Sequence, residues 1–401
     1  MRKLFICFFA AITALSCSDD DSFTMPTDPN EIVKLPCASS SVLKLVTQAD
    51  VNYYAEKGYC SVAELIIGGE LTDDNITDLT PLAGLYNVEG DVTIEAPFLE
   101  SLEGLHNILN IRGDLTISRG GMKSLDGLRG LKTLGGDLTI DYSSSLENIA
   151  ALNSMATREG VNITLYNNQA LKTLGFNGVT TAGAVSIKYC GIQNLNSFQN
   201  LVAANEITIE GNELFTSLNG LSSITGLKKL SITQCPELTS IEGLENITRF
   251  ESLTISYTTK FNSLQPLHNA TSIRVLDLTV NEALTSLEGL NSLKEASEIR
   301  LATNDMLTSI SALANLETIK SEEGEGNAML SIINNNSLVT LNGLENITDF
   351  VAQLYIVEND ALKDFCAVQA IVDNAVYPES ISISDNQYQP DFTQPGGCSM
   401  D

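Results

Sequence analysis

Few side chains in this sequence have the chemistry for catalysis. The two histidines, His106 and His268, are its only imidazole acids or bases, too few for a His-rich metal centre. Neither has a nucleophile at a recognisable spacing. The eight cysteines fall into groups. Cys7 and Cys17 lie in or beside an N-terminal apolar run. Cys37 with Cys60, and Cys366 with Cys398, lie toward the two ends, and Cys190 and Cys235 lie between them. The residues suited to binding are Asp277, Arg300 and Tyr355, with Glu298 and Gln353 beside them. Tyr142, Tyr166, Tyr189 and Tyr257 offer apolar faces with a hydroxyl, suited to sugar rings or protein partners; covering a turn is an equally good use of them. Glu322, Glu323 and Glu325 could attract Ca²⁺, but the Asp-x-Asp-x-Asn-Gly spacing of a dedicated loop is missing, so a solvated insert is the better reading.

Composition narrows the partners. Lys and Arg number 22 against 50 Asp and Glu, a formal charge of −28. A phosphate backbone needs a basic stripe, so nucleic acid is not an expected partner. Hydrophobic residues make up 43% of the 401 positions, enough for a large core. No cofactor and no metal are expected.

The N-terminus sets the compartment. Arg2 and Lys3 precede an apolar run from Leu4 to Leu15, too short to span a bilayer as a mature helix. The run closes with Ala14-Leu15-Ser16-Cys17, which resembles a bacterial lipobox cleaved before Cys17 and lipidated on its thiol. Ser18-Asp19-Asp20-Asp21 follows and resembles the surface-export signal of Bacteroidota lipoproteins. The alternative is a cleaved secretory signal with a polar linker. The expected organisation is a signal peptide over 1–16, the lipidated Cys and a flexible tether over 17–36, and an N-terminal cap over 37–64. A solenoid over 65–361 and a last coil with C-terminal cap over 362–401 complete it.

These elements are positioned by a repeat. Ser101-Leu102-Glu103-Gly104-Leu105 recurs as Ser124 to Leu128, Ser217 to Leu221, Ser240 to Leu244, Ser286 to Leu290 and Thr340 to Leu344. Most steps are 23 residues, with one of 31 that holds the acidic insert. A short alternating run keeps the same period, from Val92/Ile94 and Leu115/Ile117 to Leu354/Ile356 and Ile381/Ile383. Alternation predicts strands with one buried face. Three residues past each strand stands a small polar or thiol side chain: Asn168, Cys190, Asn212, Cys235, Thr258, Asn281, Asn304, Asn335, Asn359 and Asn386. Asn there can bond the backbone of the turn in coil after coil. Cys190 and Cys235 hold equivalent places two coils, roughly 10 Å, apart, too far for a disulfide. Two free, buried, inert thiols are expected. The terminal pairs Cys37–Cys60 and Cys366–Cys398 are expected as disulfide staples on the end caps, and the Val42, Leu45, Val46 and Tyr53 spacing between the first pair reads as helical.

Leu227, Leu230, Ile232, Cys235 and Leu238 follow LxxLxLxx(N/C)xxL and resemble a leucine-rich repeat, while Asn75 to Leu85 resembles an internalin repeat. The commoner form here is most similar to the receptor L-domain variety. Coils near 149, 174 and 365 depart from the Ser-Leu-x-Gly-Leu motif. The resemblance, over about 60 to 390, implies a β-rich leucine-rich-repeat solenoid of the α/β horseshoe class. It would have 13–14 coils, one parallel sheet roughly 65 Å long and a back of 3₁₀ turns and loops.

The residue between each strand's two apolar positions faces out. From Thr93 to Thr254 that row is all Thr or Ser, as strand propensity favours. It then changes to Asp277, Arg300 and Tyr355. A switch from uniform to varied chemistry on an open sheet marks a ligand surface, unless Asp277 and Arg300 merely pair across strands. The expectation is a non-enzymatic, monomeric outer-membrane lipoprotein, exposed at the cell surface and held only by its lipid. Its sheet would bind a protein or glycan in adhesion or recognition. A β-helix polysaccharide lyase or hydrolase and a passive structural spacer are the alternatives.

Overall fold

The computed structural model describes residues 38–40, 42–69, 75–321, 328–375 and 378–400. Cys17, Cys37 and the acidic insert lie outside them. Every alternating run found in the sequence is a strand, and each pairs in parallel with the equivalent strand of the next coil. Eighteen strands belong to one sheet. It runs from Leu43–Leu45, through Val92–Glu95, Leu115–Ser118 and Leu138–Asp141, to Gln353–Val357 and Ile381–Ser384. The sheet is open: among the described residues Leu43–Leu45 pairs only with Leu65–Gly68, and Ile381–Ser384 only with Gln353–Val357. The chain is therefore a leucine-rich-repeat type β-solenoid.

A second, six-stranded ladder flanks the early coils, from Ala38–Ser40 to Ala156–Thr157. A corner separates the two ladders. There the Asp91 carboxylate accepts the Asp114 N–H at 2.8 Å, Asp114 accepts Asp137 at 2.7 Å, and Asp137 accepts Asn162 at 2.8 Å. From Thr181 onward the corner opens, and single strands of eight to ten residues, such as Gly226–Thr233 and Ser272–Asn281, span both faces. After Ser272–Asn281 the strands divide again, into Glu295–Ala296 and Glu298–Ala302 on the next coil.

The core is one continuous stack of inward residues, with Leu138, Ile140, Leu230, Ile232, Leu330 and Ile332 at most 1% exposed. One coil cannot close this core alone, so stacking supplies the burial. The back is turned by short 3₁₀ segments such as Asp126–Leu128, Gln265–Leu267 and Ser311–Leu313. The Gly of the repeated motif has a steric cause. Gly289 sits at φ 113°, and a Cβ there would run into the Leu264 carbonyl oxygen of the preceding coil.

The Asn series forms a bonded ladder. Asn335 Nδ2 donates to the Leu301 carbonyl at 3.0 Å, and its Oδ1 accepts the Asn304 N–H at 3.1 Å. Asn304 treats Leu278 and Asn281 the same way, and Asn359 treats Ile332 and Asn335. Asn168 and Asn212 do so in the earlier coils. Each Asn follows a residue in the left-handed region, from Asn167 before Asn168 to Val280 before Asn281 and Glu358 before Asn359. That kink turns backbone groups out of the sheet, and the amides of neighbouring coils satisfy them.

Cys190 and Cys235 take their places in this ladder as free, buried thiols. Burial pushes both up to about 11. Cys366 and Cys398 form the expected disulfide, with Cα atoms 4.9 Å apart. It clasps the tail against the last coil, where Phe365 N–H donates to the Cys398 carbonyl at 2.8 Å. Cys60 is also disulfide-bonded. The N-terminal segment departs from its helical reading. The helix is confined to Gln48–Ala55, capped by Thr47 and Asp50, while Leu43–Leu45 is strand. Leu43 and Leu45 alternate inward onto Leu65 and Ile67, and that burial overrides the local spacing.

Replacing Asn335 by Ala orphans the Asn304 N–H and the Leu301 carbonyl. We expect a loss of about 2–4 kcal/mol, read as a lower urea midpoint, against under about 0.5 kcal/mol for exposed Asn262→Ala. The thiols give a pH signature. Their folded pKa lies above the unfolded value, so their contribution is intact below about pH 9 and is lost as pH rises toward about 11. The Cys190→Ala/Cys235→Ala variant should lose less stability over that window than the parent, and the parent's thiols should react with Ellman's reagent only once unfolded.

Candidate functional site

The outward face of the sheet is a grid, with its rows set by strand register. Along the central row Thr93, Thr116, Thr139 and Thr164 align, followed by Ser186, Thr208, Ser231 and Thr254. The row continues as Asp277, Arg300, Ser331, Tyr355 and Ser382 on successive coils. Glu298, Met329 and Gln353 align on one side of it, and Ala302, Ile333 and Val357 on the other. Nine outward positions on three consecutive coils thus combine two charges, two amide or hydroxyl groups, an aromatic ring and four apolar side chains. Ser331 at their centre is only 2% exposed although it faces out. Its larger neighbours on the same face close over it.

Glu298, Arg300, Gln353 and Tyr355 are therefore brought together, and Asp277 stands one coil away. Asp277 accepts a hydrogen bond from Thr279 Oγ1. Its register partner Arg300 is exposed, and among the described residues no ion pair joins the two. The contacts Met329, Ile333 and Val357 were missed in sequence reasoning. They sit outside the buried pair of each strand, and only the register between coils of unequal length aligns them.

The tyrosines divide. Tyr142, Tyr166 and Tyr189 lie on three consecutive coils and stack edge to face, with ring centroids 5.3 and 5.8 Å apart. Tyr142 and Tyr189 occupy the left-handed corner, whereas Tyr166 comes from the end of its strand. The ridge forms because these two positions project beside each other. Tyr189 Oη donates to Glu210 Oε1 at 2.8 Å, and Lys188 Nζ lies 2.8 Å from the same carboxylate. Those two contacts hold the Glu210 carboxyl below its ordinary range, and the Glu210 bond raises the Tyr189 hydroxyl. The Tyr189 ring lies over Gly211, where a Cβ would strike it. Tyr257 stands apart and 56% exposed.

The histidines occupy the back. His106 Nδ1 lies 2.8 Å from Glu103, which also binds Arg129, and His268 Nδ1 lies 3.1 Å from the Gln265 carbonyl. Each is engaged within its own turn. Among the described residues no cluster of three His, Cys, Asp or Glu side chains is placed to hold a metal.

The Receptor L domain family model matches residues 276–377, the coils that carry Arg300 and Tyr355. Among solved structures, an internalin from Listeria monocytogenes is 14% identical, with 86% of this chain and 90% of that one covered and a TM-score of 0.41. A leucine-rich-repeat protein of Leptospira interrogans is also 14% identical, over 83% of this chain and 92% of that one, with a TM-score of 0.31. No curated protein matches the chain. Receptor L and leucine-rich-repeat domains as a class are protein-binding scaffolds rather than enzymes.

The Tyr189–Gly211 contact makes a separable prediction. Gly211→Ala forces a Cβ into a left-handed residue at φ 63° and into the ring, and should cost about 1–3 kcal/mol. In a Tyr189→Ala background the same change should cost less by the clash alone, measured by a double-mutant cycle in urea.

Proposed function

We propose that this protein is a non-enzymatic binding protein of the cell surface, anchored in the outer membrane by lipid on Cys17. The solenoid is a rigid arm, and the nine-residue grid around Ser331 is where it meets a protein partner. The observation that carries this reading is the change along one strand row. Eight coils present Thr or Ser, and the coils beyond present Asp277, Arg300, Ser331, Tyr355 and Ser382, with Met329 between Glu298 and Gln353 and Ile333 between Ala302 and Val357. A rigid sheet fixes these side chains at low entropic cost, and a mixed aromatic, Arg and aliphatic patch with a polar rim is the composition of a binding hot spot. The Tyr142–Tyr166–Tyr189 ridge offers a second contact surface for the same or another partner, a sugar ring included.

Address and site are tested separately. Cys17→Ser should abolish palmitate labelling and release the protein from membranes. Protease added to intact source cells should remove the solenoid while periplasmic controls survive; protection would place it inside and end the surface reading. A photo-crosslinking residue at Met329 should give a discrete adduct on cells that one at Thr139 does not. Arg300→Ala or Tyr355→Ala should then cut adduct yield at least tenfold with the fold intact. Equal labelling at both positions would favour a passive spacer.

A further inference from the structure

The coil that carries Cys190 is one residue short. In the other coils from Ser143 to Asn359, two residues separate the ladder position from the next buried apolar side chain. Asn168-Gln169-Ala170-Leu171 and Asn212-Glu213-Leu214-Phe215 are the coils on either side. After Cys190 only Gly191 stands before Ile192. No side chain fills the wall at that coil. Gly211 on the next coil has none either, and the Tyr189 ring lies over it. The result is a concavity of about 330 Å³, bounded by Tyr189, Gln169, Glu213 and Leu214 beside the backbone of the two glycines. This notch continues the Tyr142–Tyr166–Tyr189 ridge, because Tyr189 belongs to both.

The ridge and the notch expose apolar surface at a local cost. Tyr142 and Tyr189 sit at φ 49° and 54°, where Asn or Gly is the easier occupant, as Asn167 and Gly211 are on neighbouring coils. Leu214 is 47% exposed. At the rim, neither the Gln169 amide nor the Glu213 carboxylate has a side-chain hydrogen bond or ion pair among the described residues. Two cations stand beside the ridge and both are matched, Arg119 by Glu95 at 2.8 Å and Lys188 by Glu210 at 2.8 Å.

These features select a ligand. With its cations matched and Glu213 unmatched, the site repels an anion. A compact cation needs rings that converge on a point, whereas these three stand edge to face in a line. An extended peptide adds to an open strand edge, whereas Ile163–Tyr166 and Thr181–Lys188 are paired on both sides. A polyol with an apolar face fits: its C–H groups lie against tyrosine and leucine, and its hydroxyls turn to Gln169 and Glu213. From the coil of Tyr142 to that of Glu213 is three coil steps, ~14 Å. A pyranose in an extended chain advances by about one such step.

We propose, on the reading of the ridge as a contact surface, that ridge and notch together bind a neutral oligosaccharide of all-equatorial pyranoses. One ring sits in the notch against Tyr189 and Leu214, and the chain continues over Tyr166 and Tyr142. An all-equatorial ring presents axial C–H on both faces, so no hydroxyl is pressed onto the tyrosines. The notch lies at the low end of the ~300–1,000 Å³ of small-ligand sites and takes one ring. Glu213 accepts hydroxyl protons from that ring and excludes a uronate in its place.

The test uses the intact protein and four probes: β-1,4-linked hexasaccharides of glucose, of mannose and of glucuronate, and tetramethylammonium. Calorimetry should show the glucose probe binding at least tenfold tighter than the glucuronate one, and tighter than the mannose one, whose axial hydroxyl interrupts one face. Added salt should change its affinity less than twofold, because no ion pair is involved. Tyr142→Ala and Tyr189→Ala, both at exposed positions, should each weaken it at least tenfold, and Leu214→Ala at least threefold. Tyr189→Phe, which keeps the ring, should retain most of the affinity. Tyr257→Ala and Arg300→Ala should leave it unchanged. The proposal is overturned if the glucose probe does not bind, if the mannose or glucuronate probe binds as tightly, or if tetramethylammonium displaces it. It is equally overturned if Tyr142→Ala and Tyr189→Ala change affinity less than twofold with circular dichroism unaltered. A photo-crosslinking residue at Tyr142 separates the two readings. A protein adduct on cells, with no saccharide bound, would end the glycan assignment and leave the contact surface standing.

Discussion

A coil of about 23 residues leaves the sheet through a left-handed kink, and that kink strands backbone groups in the interior. Everything else in the molecule depends on how they are satisfied. Where Asn follows the kink, its side chain donates to and accepts from the preceding coil, so those coils do not complete their hydrogen bonding alone. The register of the sheet follows from this bonding as much as from the apolar stack. A one-residue slip would unpair the ladder and turn the core face outward together.

Electrostatics obeys the same geometry. Stacking acidic coils brings like charges within a few ångströms, and the early coils offset this in two ways. Cations bridge to the coil before, as Arg119 and Arg129 do, and Asp91, Asp114 and Asp137 turn their carboxylates onto backbone N–H groups. In the sequence each of those aspartates simply precedes the first apolar residue of its alternating run. Each in fact closes the corner between two ladders, a role visible only once the next coil is in place.

What was legible in the sequence had the period of the structure. Strands followed from alternation, the Asn positions from their fixed offset, and the free thiols from their equivalence two coils apart. The clasp at Cys366 and Cys398 followed from its place at the end of the repeat. What failed or was missed lay across coils or outside the period. The spacing of Val42 and Leu45 suggested helix, and an unseen strand partner made it sheet. Tyr142 and Tyr189 lie two coils apart, and the strand end at Tyr166 fills the gap between them. Met329 sits beyond the long step, where counting residues loses register.

A linear stack has an uneven resistance to unravelling. A terminal coil has one neighbour where an interior coil has two, so opening begins at the ends. The covalent clasp from Cys366 to Cys398, reinforced by the strand-like contact of Asp364 with Ser399, denies that start to the C-terminal end. Unfolding that starts at this edge of the sheet meets a crosslinked knot instead of a fraying coil. The coils beside that clasp carry the mixed-chemistry face, so the crosslink holds its geometry against fraying.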